Sequence, residues 1–290
     1  VVHGRLRENE PMARHTSWRV GGPADRYYTP SSIDDLRQFI ASLPSDEPIF
    51  WVGLGSNLLV RDGGVRGTVI CTHGVLAGLE RLADGSVRAE AGVPCAKLAR
   101  QCVRWGLGSA EFFAGIPGTV GGALAMNAGA FGGETWSHVL FVETVDRQGV
   151  LHRRDKDAYD ISYRSVRGPG EEWFLAATFR FREDAKASTA DIKALLARRK
   201  ASQPIGLPSC GSVFRNPEGD HAGRLIEAAG LKGHRIGGAE VSPKHANFLI
   251  NTGQASAADI EALIDHVQQA VEQRFGVRLQ PEVHIVGVPA

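Results

Sequence analysis

A chain of 290 residues, 43% of them apolar, can bury one large core or several small ones. Its 33 Lys and Arg against 32 Asp and Glu leave a formal charge of +1, which excludes a general electrostatic field for nucleic acid or an anionic membrane. No run of about eighteen apolar residues offers a membrane span, and the four cysteines (Cys71, Cys95, Cys102, Cys210) contain no C-x-x-C pair, so neither a zinc site nor a disulfide framework is expected.

The opening VVHGRLRENEP is polar where a secretory signal needs an apolar stretch, and a cytoplasmic location is expected. SSIDDLRQFIASLP predicts a helix, with a serine cap, Asp35 three residues on, apolar Ile33, Leu36 and Ile40 at helical spacing, and Pro44 as its stop. PIFWV reads as a strand running into the loop Gly53-Leu54-Gly55-Ser56-Asn57. GTVIC and SVRAE read as further strands. A helix is expected over Cys95–Trp105, opened by Pro94 and closed by Gly106, with both of its cysteines on the core face. VLFVETVDRQGVLHRR predicts a hairpin turning at Asp146–Gly149, and FLAATFRF another strand.

The small polar run EDAKASTA (183–190) suggests a boundary, followed by the helix DIKALLARRK, whose Arg198-Arg199-Lys200 end reads as solvated. The helix AGRLIEAAG, the strand NFLIN and the amphipathic helix ADIEALIDHVQQAVEQRF complete the chain. The last carries a core stripe of Ile260, Leu263, Ile264, Val267 and Val271. Interspersed helices and strands place the protein in an α/β or α+β class.

The stretch GIPGTVGGALAMNAGAFG (115–132) stands out, because six of its eighteen residues are glycine. Glycine costs folding entropy, so such density asks for close backbone approach, either to a ligand or to the protein's own packing. Neither this loop nor GLGSN fits a dinucleotide fingerprint or a P-loop. Two loops able to offer main-chain N–H donors to oxygen anions suit a diphosphate joining two halves of a cofactor. The smooth Ala-Met-Asn-Ala-Gly-Ala continuation suits a flat ring, which points to a flavin.

The segments GLGSNLLVRDGGVRGTVI, AGIPGTVGGALAMNAGAFGGE, SYR, PSCGSVFRNP, AGRLIEAAGLKGHRIGGAEVSPKHANFLIN and FGVRLQPEVHIVG resemble, in unbroken order from about Arg14 to Gly287, the motif set of the UDP-N-acetylenolpyruvoylglucosamine reductases (MurB). The resemblance implies an α+β protein. Two subdomains would form an FAD-binding fold of the vanillyl-alcohol-oxidase type (1–74 and 75–185), and a C-terminal α/β domain (186–290) would take a UDP-sugar. It implies non-covalent FAD, with NADPH as hydride donor and UDP-N-acetylglucosamine enolpyruvate as the substrate reduced to UDP-N-acetylmuramate for peptidoglycan. A monomer is expected.

Carried over by motif, the family's catalytic trio falls on Ser212, Arg164 and Glu282. Flavin contacts fall on Gly53, Gly55, Ser56, Asn57 and Leu58 in the first loop, and on Gly115, Pro117, Gly118, Thr119, Gly121, Gly122, Asn127 and Gly129 in the second. Substrate contacts fall on Tyr163, Arg199, Arg215, Asn216, Lys232 and His245. Two departures are visible. Tyr163-Arg164-Ser165-Val166 stands where Y-R-x-S is expected, and the 48 positions from Arg164 to Ser212 leave no room for the tyrosine-bearing lid of longer members, so the chain is similar to the shorter subtype.

Two other readings of the same residues exist. Cys210, with His221, His234 and His245 downstream, fits a cysteine hydrolase. The glycine loops alone fit a non-catalytic nucleotide-binding module.

Overall fold

A computed structural model describes residues 3–290. By internal contact the chain divides into two units. The first is Val1–Arg7, Tyr27–Leu54 and Thr68–Arg198, and the second is Glu8–Arg26, Gly55–Gly67 and Arg199–Ala290. This division is not contiguous in sequence and is coarser than the three-segment expectation. The second unit draws residues 8–26 and 55–67 from the N-terminal part of the chain.

In the first unit, α1 (Ile33–Ser42) begins as its composition requires. The Ser32 side chain accepts the Asp35 N–H at 3.0 Å, answering one of the donors that a helix start leaves open. Leu36 and Ile40 are fully buried with Ile70, Val145 and Leu175. The strand Ile49–Val52 pairs in parallel with Thr68–Cys71 and leads directly to Gly53.

A larger antiparallel sheet runs in the order Leu151–Asp155, Val139–Asp146, Glu172–Phe179, Val87–Glu90, Leu79–Arg81. Its first hairpin turns where expected: Gly149, at φ +77°, donates to Asp146 O. α2 (Cys95–Arg104) and α3 (Val120–Met126) cover this sheet through Leu98, Cys102, Val120, Leu124 and Phe179, all fully buried. α4 (Thr189–Ser202) contains the division between the units.

In the second unit α5 (Ala222–Ala228) and α6 (Ala257–Phe275) pack with a three-stranded antiparallel sheet, Arg235–Ile236, Ala239–Val241, Leu249–Asn251. The five stripe residues of α6 are all buried, and Ser256 with Asp259 closes a capping box at its start. Trp18 joins this core, its indole N–H donating to Leu249 O at 2.8 Å. Leu58–Val60 pairs in parallel with His284–Val286.

Candidate active site

In the first unit the glycine-rich stretch forms a loop and the short helix α3. Thr119 caps the helix, accepting from Gly122 N–H at 3.5 Å. A Cβ at Gly53 would lie 2.3 Å from Thr119 Oγ1, so the start of the first glycine loop touches the second.

The glycines here serve two different purposes. A Cβ at Gly115 would strike the Phe131 ring at 2.4 Å, one at Gly129 would meet Gly133 O at 2.5 Å, and one at Gly121 would crowd Ala91 at 3.0 Å. Internal packing therefore accounts for these three. The N–H groups of Val120 and Gly121 are also engaged, donating to Val93 O and Ala91 O at 2.9 Å each. Gly122 differs, because it is exposed and a Cβ there would meet only Thr119 Oγ1, at 3.8 Å. Pro117, Gly122 and Ala125 are each exposed and small or flat, which leaves backbone open to a planar ligand.

Asn127, expected among the cofactor contacts, has a committed side chain. At φ +48° it ends α3, its Nδ2 donating to Ser162 O (3.1 Å) and Glu134 Oε2 (3.2 Å) and its Oδ1 accepting from Trp136 N–H (3.1 Å). It acts as a latch between α3 and the hairpin that carries Arg164.

That hairpin pairs Asp160–Ser162 with Ser165–Arg167, leaving Tyr163 and Arg164 as a two-residue turn. Arg164 sits at φ +53°, a left-handed conformation that costs a side-chain-bearing residue energy and persists only where its surroundings hold it. The holding contacts are Nη1 to Asn127 O and Nη2 to Gly129 O, both 3.2 Å. The guanidinium also lies 4.9 Å from the centre of the exposed Tyr163 ring. Ser165, where the family pattern departs, pairs with Ser162 across the hairpin.

In the second unit the segments that carry Ser212 and Glu282, 70 positions apart in sequence, adjoin through an isolated bridge. Glu282 N–H donates to Val213 O at 2.7 Å, and Phe214 bridges Pro281. Gly211, at φ +65° with open space around it, turns the chain into this segment. Asn57 of the first glycine loop donates through Nδ2 to Glu282 O at 3.0 Å and accepts from His284 N–H at 3.1 Å. Asn57 is therefore a scaffold for the carboxylate-bearing segment. Gly55 is glycine for an internal reason: at φ +63°, its Cβ would lie 1.9 Å from His15 O.

Three of the expected substrate contacts, Asn216, Lys232 and His245, lie against residues of α5. Asn216 Oδ1 accepts from Ala222 N–H at 3.0 Å, Lys232 reaches Glu227 at 2.8 Å, and His245 packs on Gly223. Burial, and secondarily the Lys232 ammonium, hold His245 below its ordinary pKa, so the ring is neutral. Arg215 carries a buried Nε without a partner among the described residues, and its charge adds to burial in lowering the pKa of His284. Arg199, read from sequence as part of a solvated helix end, is instead half-buried, with Nε donating to Gln203 at 3.0 Å.

Cys210 does not suit the nucleophile of the hydrolase reading. It is buried against Gly55 O and Leu58 O at 3.7 Å, and burial pushes its thiol up to about 12, whereas a reactive cysteine needs an accessible thiolate. Among the described residues there is no cluster of three or more potential metal ligands and no helix long and apolar enough to cross a membrane.

Residues 24–155 match an FAD-binding domain, and that match together with the exposed glycine face defines a flavin-dependent oxidoreductase. Residues 203–286 match the C-terminal domain of UDP-N-acetylenolpyruvoylglucosamine reductase. The reductases of that name from Alkalilimnicola ehrlichii (64% identical, covering 99% of this chain and 96% of the relative) and Methylococcus capsulatus (59%, covering 98% and 94%) are similar over nearly the whole length. The crystal structure of the Thermus caldophilus enzyme superposes with a TM-score of 0.83 at 32% identity, covering 97% of this chain and 99% of that one. The chain belongs to the UDP-N-acetylenolpyruvoylglucosamine reductase family.

Proposed function

We propose that the protein reduces the enolpyruvyl ether of UDP-N-acetylglucosamine to the lactyl ether of UDP-N-acetylmuramate, with NADPH as electron donor, in the cytoplasm and for peptidoglycan synthesis. When bound, FAD supplies the hydride that reaches the terminal carbon of the double bond. The chain's own residues hold the charge and the proton. The carbon bearing the carboxylate becomes an enediolate-like anion, and Arg164 stabilises it with a permanent cation that offers paired donors to a carboxylate. Ser212 delivers the proton to that carbon. A hydroxyl is a weak acid, but a carbanion is a strong base, and placement decides before nominal acidity. Glu282 assists in its protonated form or through water, because a bare carboxylate beside the anion would oppose its formation. Asn216, Lys232 and His245 hold the sugar nucleotide, with Tyr163, Arg199 and Arg215 as further contacts.

The observation that supports this reading is the 2.7 Å bond from Glu282 N–H to Val213 O, which brings the segments that carry Ser212 and Glu282 side by side. The test separates the two half-reactions. Ser212→Ala retains bleaching of the bound flavin by NADPH, while reoxidation by the enolpyruvyl substrate slows by about two to four powers of ten, the range of general acid catalysis. An unchanged reoxidation rate in stopped flow removes Ser212 from the mechanism.

A further inference from the structure

The extended segment that carries Ser212 is held from two sides. On one it bonds the Glu282 segment. On the other it bonds Asn247, through both the main chain and the side chain of that residue. Asn247 is 3% exposed, and its amide reaches both backbone groups of Phe214: Nδ2 donates to Phe214 O at 2.9 Å, and Oδ1 accepts from Phe214 N–H at 3.0 Å. Its main-chain carbonyl accepts from Val213 N–H at 2.9 Å, so Val213 and Phe214 are both clamped by this one residue. On its other side, Asn247 N–H donates to His245 Nδ1 at 3.2 Å, which leaves the ring proton on Nε2. Ser242 Oγ holds the turn from below, accepting from the N–H groups of Lys244 and His245 at 3.1 and 3.2 Å.

Few side chains satisfy a peptide's donor and acceptor together. A carboxamide does so because it presents one donor and one acceptor in the geometry of another peptide. Because Asn247 is buried, removal of either partner leaves an unanswered polar group, so the clamp holds the Val213–Phe214 backbone in one conformation.

We infer that Asn247 is a positioning residue for the reduction. It fixes the direction of Ser212 Oγ against the Glu282 segment, and through its own N–H it presents His245 to the sugar nucleotide as a neutral Nε2–H donor. This rests on the proposed role of Ser212. It predicts that the side chain matters for proton delivery and the main chain for substrate contact, so the two effects separate by mutation.

The test uses the FAD-loaded enzyme in five forms: the parent, Asn247→Ala, Asn247→Asp, Ser212→Ala and the double variant Ser212→Ala/Asn247→Ala. Asn247→Ala is expected to slow flavin reoxidation about 10- to 100-fold, the cost of a misplacement on the ångström scale. NADPH bleaching should stay unchanged, as should the Kd for the substrate measured by titration of the oxidised protein.

Asn247→Asp supplies the readout that a purely structural role would not move. Its neutral carboxyl donates to Phe214 O as the amide does, whereas its ionised form sets an oxygen against that carbonyl. The ratio of parent to variant reoxidation rates should therefore approach one at low pH and grow as pH rises. His245, Lys232, Lys244 and Glu227 are the titratable groups around this turn, and the same pH profile taken for Asn247→Ala, which adds no carboxyl, separates their titration from that of the introduced group.

In a Ser212→Ala background Asn247→Ala should add little, because it acts through Ser212. Equal slowing in both backgrounds, or a pH-independent ratio for Asn247→Asp, overturns the inference while leaving the Ser212 mechanism standing. If Ser212→Ala alone has no effect, the mechanism itself falls.

Discussion

Replacing Arg164 with glycine separates what the residue does for the fold from what it does for the reaction. The turn holds Arg164 at φ +53°, and a left-handed residue with a Cβ costs about 1–2 kcal/mol that glycine recovers. Against this gain, glycine adds about 0.5–1 kcal/mol of unfolded-chain entropy. Loss of the bonds to Asn127 O and Gly129 O removes about 0.5–1.5 kcal/mol each. The net is a destabilisation of about 1 kcal/mol, which lowers Tm by about 2–4 °C in a protein of this size. The chemical loss is larger, since removing a donor aimed at developing negative charge costs about 10²–10³ in rate. Calorimetry of the apo-protein gives the first quantity, and stopped-flow reoxidation by the enolpyruvyl substrate gives the second. Arg164→Lys provides the comparison, keeping the charge and the strain but not the planar fork. A reoxidation rate within about threefold of the parent in Arg164→Gly would make Arg164 only a staple between the hairpin and the end of α3.

Two further outcomes follow from the geometry. Gly121→Ala forces a methyl group into Ala91 and should lower apo-protein stability by about 1–3 kcal/mol. Gly122→Ala meets open space and should leave apo-protein stability equal or up to about 1 kcal/mol higher. The same Gly122→Ala should weaken FAD binding about tenfold or more, equivalent to about 1.4 kcal/mol; unchanged FAD affinity by fluorescence titration would show that the exposed face does not meet the cofactor. His138, His245, His266 and His284 all have pKa values lowered first by burial. The unfolded chain then binds more protons than the native one below the usual histidine value of about 6.5, so stability present above that pH declines as the pH falls through the native values. A Tm that stays constant from pH 7.5 to about 5.5 would contradict the burial of these rings.

Much of the local structure was legible because its causes lie within a few residues of one another. The Ser32 cap, the Asp146–Gly149 turn and the buried stripe of α6 each depend on spacings that a short window contains. The same holds for Gly106 after α2, at φ +72°, where only the sign of one torsion is at stake.

The glycine-rich stretch shows where that window fails. Gly115, Gly121, Gly122 and Gly129 look equivalent as letters, since absence of a side chain suits a ligand and a neighbouring protein atom equally well. Only the placement of Phe131, Ala91 and Gly133 assigns three of them to internal packing and leaves Gly122 open. Asn127 was legible as a site-proximal residue but not as a latch, because its partners Ser162 and Trp136 come from a different hairpin and a different turn.

The order of elements and the main helix starts and stops were determined by the amino-acid sequence itself, through torsional preference, hydrogen-bond capping and apolar periodicity, and the family was legible in its ordered motifs. Tertiary structure alone decided that residues 8–26 and 55–67 build the second unit, that Asn57 bonds the Glu282 segment, and that Asn247 clamps the segment that follows Ser212. These pairings span from 33 to 225 positions, and they form because buried peptide groups must find partners wherever the packed core brings them. No local spacing encodes which partner that is.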